Sequence, residues 1–167
     1  MLRLMLLCCS LFILFPAHAN NQLKVLSPVI GHWTTKEGNA RQHFYWGVGE
    51  RIIHGYMEIP LGDGWQRVSE GSYHWDPVTS NIRGTFVGIN MGISLFYVKG
   101  AMEGGKLVFH NRTLSEQGQW LDSVETWTFG NPNSFEYVIE KVEAGHRKPW
   151  LHGQWLRVQE EPEENQR

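Results

Sequence analysis

The residues able to do chemistry in this chain of 167 are dispersed, not clustered. Beyond residue 19 the histidines are His32, His43, His54, His74, His110, His146 and His152. None stands in an H-x-H or H-E-x-x-H arrangement, the spacings that put two ligands on one face of a strand or helix to grip zinc or iron, so no metal site is expected. His54, His74, His110 and His152 fall in separate expected strands, where they either converge inside a closed sheet or scatter over both faces. The best acid–base group is Asp122 with Glu125, which strand order brings near His110 and Arg112. The two carboxylates differ in parity, so a regular strand sends them to opposite faces. No nucleophile elbow, phosphate loop or paired-carboxylate motif is present, and no catalytic residue is assigned.

Aromatic residues are the stronger signal. Rings spread through every expected strand, and alternate residues of a strand share a face, so either alternate set would line the inside of a closed sheet. The expected lining is Tyr56, Tyr73, Phe86, Tyr97, His110, Trp127 and Tyr137. Gly84, Gly88, Gly92 and Gly100 remove side-chain volume in the same region, leaving room either for a ligand or for bulky neighbours. Trp120 and Trp150 flank turns, where they could cover a barrel mouth or grip a partner.

The elements that must position these groups are short strands. Residues 71–113 read as four in succession, stopped at Asp76-Pro77, at Asn90-Met91-Gly92 and at Glu103-Gly104-Gly105. Pro fixes φ, Asp bonds the backbone ahead of it, and Gly tolerates φ > 0. The pattern extends both ways, with strands expected at 28–34, 41–46, 50–59 and 65–75 before, and 120–129, 134–142 and 149–158 after. Residues 20–27 suit one helical turn capping a barrel end. Gly55 implies a bulge or close backbone approach, and Gly71 a kink. The fold class is all-β, an antiparallel up-and-down meander closed into a barrel of about eight to ten strands, since closure removes exposed edges.

Residues 1–19 have the outline of a signal peptide, with Arg3, an apolar run over 4–15 and Ala17-His18-Ala19 as cleavage site. That run falls short of the about 20 residues that span a bilayer. Both cysteines, Cys8 and Cys9, lie within it, so the remainder has no thiolate nucleophile, cysteine metal site or haem-attachment motif. The expected organisation is a leader at 1–19, one domain at 20–158 and an acidic tail at 159–167, exported to a periplasmic or extracellular space. A net charge of −2 without any Lys/Arg cluster excludes nucleic acid as a partner.

Gly31-His32-Trp33 near the start and Arg157 in the last strand resemble the lipocalin/calycin pattern. The interior is similar to a bacterial exported lipocalin-like family of unknown function, through Gly71-Ser72-Tyr73-His74-Trp75-Asp76-Pro77, the glycines at 100–105 and Trp155-Leu156-Arg157. The resemblance implies a calycin-like barrel whose closed end is built by Gly31, Trp33 and Arg157, with guanidinium stacked on indole. It implies a small apolar or amphipathic partner in an aromatic lumen. A lumen-site isomerase, hydratase or lyase is an alternative, and an envelope interaction module with a filled barrel is another. A looser similarity is to nitrobindin-type barrels, which end in His-x-x-x-x-x-x-Arg with the His on haem iron. Here His152 precedes Arg157 at a different spacing. No cofactor is expected, with haem at His152 as the alternative.

Overall fold

Turn residues cut this chain into hairpins, and the hairpins close on themselves. The computed structural model describes residues 22–159; the expected leader, and the acidic tail beyond residue 159, lie outside them. The strands are β1 (Gly31–Thr35), β2 (Arg41–Trp46), β3 (Ile52–Leu61), β4 (Gly64–Asp76) and β5 (Asn81–Gly88), then β6 (Ile93–Glu103), β7 (Lys106–Ser115), β8 (Trp120–Asn131), β9 (Ser134–Glu143) and β10 (His146–Arg157). Each pairs antiparallel with its chain neighbour, and β1 pairs β10 in the register Trp33↔Arg157, giving a closed ten-stranded antiparallel barrel. This architecture is compatible with a calycin-like fold. No helix among the described residues is long and apolar enough to cross a membrane.

A 3₁₀ helix, Lys24–Val29, precedes β1. The first strand therefore starts at Gly31 and not at the expected Pro28, which sits inside the helix. In an up-and-down barrel the turns alternate between two ends. The start of β1 and the end of β10 define one, here the closed end, and the other is the mouth.

Alternation along the strands puts one face inward, clearest in β5, where Ile82, Gly84, Phe86 and Gly88 are all buried. The glycines solve a packing problem for the inward rings. Phe44 lies directly opposite Gly55, Phe86 opposite Gly71, Tyr73 opposite Gly84, Phe109 opposite Gly100 and Tyr137 opposite Gly153. A Cβ at Gly55 would fall 2.6 Å from the Phe44 ring, and one at Gly84 2.7 Å from that of Tyr73. Each ring thus lies across its neighbour's bare backbone, against the wall. At Gly55 the close approach holds; the bulge lies further on, between Met57 and Glu58, and others lie at Ile93/Leu95, Phe129/Asn131 and Pro149/Leu151. Such bulges bend strands as closure demands.

At the closed end Trp33 is buried and its Nε1 donates to the Val29 carbonyl at 2.6 Å. Leu23, Leu26 and Val29 bury the helix against the core, and Phe135 meets the indole edge-on at 4.9 Å. The Arg157 guanidinium lies 4.2 Å from the Trp33 ring centre. Its nitrogens donate to the carbonyls of Ile30 (2.6 Å), Pro28 (2.8 Å) and Pro132 (3.0 Å). Gly31, at φ +123°, makes room, since a Cβ there would stand 2.6 Å from Arg157 Nη1.

Candidate functional site: the barrel lumen

Between the wall rings and the mouth lies a cavity of about 340 Å³, at the small end of the roughly 300–1,000 Å³ typical of small-molecule sites. Two wider hollows, beside His43 and Tyr56 and beside Arg83 and Arg112, lie on the outer wall. Three adjacent strands build the polar part of the lumen. On β7, Phe109, Asn111 and Thr113 alternate inward; on β8, Ser123, Glu125 and Trp127 do the same; β9 adds Tyr137 and Ile139. Register places Glu125 between Phe109 and Ile139, and Asn111 beside Ser123.

Glu125 has two donors. Trp127 Nε1 reaches Oε1 at 2.6 Å, and Asn111 Nδ2 reaches Oε2 at 3.1 Å. Glu125 is partly buried and lines the cavity. Burial pushes the carboxyl above the ordinary glutamate value, and the two hydrogen bonds pull it partly back. Among the described residues lining the cavity, Glu125 is the one carboxyl and there is no lysine, arginine or histidine. Asn111 is 8% exposed, and its Oδ1 has no hydrogen-bond partner. An orphaned buried acceptor costs about 1–3 kcal/mol. Tyr73 and Tyr137 border the same space; burial first, and the charge of Glu125 second, raise both phenol pKa values. Both hydroxyls therefore stay protonated at neutral pH.

Of the residues expected to line the lumen, the structure brings together Tyr73, Phe86, Trp127 and Tyr137. It places the other three outside. Tyr56 points outward beneath the Arg67 guanidinium, 3.8 Å from its ring centre, with its hydroxyl 3.1 Å from His43 Nδ1. Its neighbours Gly55 and Met57 hold the inward positions. Tyr97 is 48% exposed and stacks on Trp120. His110 is exposed between the inward Phe109 and Asn111. His152 is also exposed, opposite Val138 on the outer face, so its imidazole is not aimed into the lumen. His54, His74, His110 and His152 do not converge in the lumen, His32 and His43 stack at 3.6 Å, and no group of three metal-ligating side chains exists among the described residues.

Asp122 and Glu125 take opposite faces, as their parity requires. Asp122 is exposed opposite Arg112, and Glu125 faces inward. Trp120 belongs to the outer wall, under Arg112 at 4.9 Å. Trp150 lines the cavity near the mouth with Lys141 Nζ 4.4 Å from its ring centre. Gly84 and Gly100 accommodate the rings of Tyr73 and Phe109, the bulky-neighbour outcome. Sequence reasoning missed Asn111 altogether. Its signal was the shared parity with Phe109 and Thr113, opposite the Glu125-x-Trp127 pair.

No protein-family model matches this chain, and no curated protein shows significant similarity to it.

Proposed function

We propose that the protein is an exported carrier that holds one small amphipathic molecule in the barrel lumen. The observation that supports this reading is a walled cavity, apolar over most of its surface, with one polar cluster at Glu125 and Asn111. Sites of this composition orient an apolar ligand through few polar contacts. Five rings, Phe44, Tyr73, Phe86, Phe109 and Tyr137, lie across glycines, and Phe44, Tyr73, Phe109 and Trp127 meet one another across the interior as an aromatic floor to the cavity. The leader-like pattern of residues 1–19 supports export.

The test is a native mass spectrum of the protein taken from the exported fraction without detergent. A discrete added mass, released on denaturation, is the expected result. A bare mass, with no thermal shift across a panel of amphiphiles, would overturn the carrier reading. A second reading, a lumen-site isomerase or lyase, draws on the elevated pKa of Glu125, a common property of general acids and bases. Turnover of a bound compound that disappears in Glu125→Gln, with binding intact, would establish it in place of carriage.

A further inference from the structure

We propose that the lumen selects amines: the ligand's ammonium sits against the Glu125 carboxylate, and its apolar body extends toward the mouth. This rests on the carrier reading and specifies its cargo.

Three observations carry it. First, the polar cluster is short of donors. Each Glu125 oxygen has one donor from the protein, and the adjacent Asn111 Oδ1, closed off from the cavity surface, has none to share with it. A carboxylate oxygen accepts more than one hydrogen bond and an amide oxygen accepts two, so the unfilled capacity is for donors. Secondly, the cluster has no counter-charge. Glu125 is the one carboxyl among the described cavity-lining residues, without a basic partner; Lys141, two residues along β9 from the Ile139 that Glu125 faces, is engaged on Trp150 near the mouth. A buried carboxylate is strongly favoured by an opposite charge within a few ångströms. Thirdly, the walls are aromatic: Tyr73, Phe86, Trp127 and Trp155 line the lumen, and ring faces attract cations.

An ammonium group meets all three conditions at once, supplying up to three N–H donors and one positive charge. A hydroxyl supplies one donor and no charge. A carboxylate would bring a second negative charge beside Glu125, which is unfavourable in a low-dielectric site. Burial raises the Glu125 pKa, and an adjacent ammonium would act in the opposite direction. Beyond the cluster, Met57, Phe96, Ile93 and Leu151 offer the apolar surface along which an alkyl or aryl body would lie.

Four probes sharing one chain length test this: n-octylamine, 1-octanol, octanoate and octyltrimethylammonium, titrated at pH 7 by calorimetry. Octylamine is expected to bind about tenfold or more tighter than octanol, as charge-assisted hydrogen bonds allow. Octanoate should bind weakest. Octyltrimethylammonium, a cation without N–H donors, should bind more weakly than octylamine. The Glu125→Gln variant should bring octylamine to within about threefold of octanol while octanol binding persists. Tyr97→Ala, on the outer wall, should change none of these values. Octanol or octanoate equalling octylamine in the native protein would overturn amine selection and leave the carrier reading standing. No binding by any of the four probes would count against carriage itself. The native-protein series decides the matter even if the Gln variant does not fold.

Discussion

The two ends of the barrel treat their polar groups in opposite ways. At the closed end, three nitrogens of Arg157 each meet a backbone carbonyl, the guanidinium covers Trp33, and the indole N–H has its own acceptor. In the lumen, Glu125 lines the cavity without a cation and Asn111 Oδ1 is buried without a donor. Both regions use a charged side chain among aromatic rings. The first satisfies it within the chain, as a group serving stability should be; the second leaves it incomplete, which costs stability and suits recognition.

This contrast is sharpest under substitution. Trp33→Ala should produce the largest loss, about 3–5 kcal/mol as for other buried large-to-small changes, measured by urea unfolding. An unchanged midpoint would remove the closed end from the stability account. Arg157→Lys should cost less, about 1–3 kcal/mol, because an ammonium point charge cannot replace a planar fork shared among three carbonyls. Equal stability of the Lys variant would show that the stacked charge, not the hydrogen-bond geometry, matters there.

The smallest effect lies in the lumen, and it has the opposite sign. Glu125 titrates above its ordinary value of 4.5 when folded, so the native state holds its proton longer than the unfolded chain does. Its contribution is therefore fully present below pH 4.5 and is lost as pH rises through the raised folded pKa. In that window the slope is at most about 1.4 kcal/mol per pH unit. Subtracting the pH–stability curve of Glu125→Gln from that of the native protein isolates this fall. A flat difference curve would mean that Glu125 is not desolvated as its position implies.

The strands were legible because their stops are chemically explicit. Asp76-Pro77, Glu103-Gly104-Gly105 and Asn131-Pro132 end pairing by removing a donor or by permitting positive φ. Closure was expected because it removes sheet edges, but no local signal marks the β1–β10 pairing, which joins opposite ends of the chain; the resemblance at Trp33 and Arg157 pointed to that joint. The site was half legible. Tyr73, Phe86, Trp127 and Tyr137 alternate with smaller or polar neighbours, whereas Phe96 and Tyr97 are adjacent rings, and nothing local states which one faces in. At Tyr56, inward Gly55 gives no apolar clue to parity. Asn111 was hidden by its chargeable neighbours His110 and Arg112, which attracted the acid–base reading while pointing outward.

The seam between β1 and β10 also has a kinetic meaning. Ten strands in a ring make ten interfaces, and nine join chain neighbours across short turns. Those hairpins are local contacts, cheap in loop-closure entropy and able to form early. The tenth pairs Trp33 with Arg157, Thr34 with Leu156 and Thr35 with Trp155, and nearly the whole described chain must be gathered before it can form. It is a short interface with the largest loop to close, so by topology it belongs last in assembly and first in opening. The Arg157 clasp lies across that joint, where one side chain contributes most to holding the ring shut.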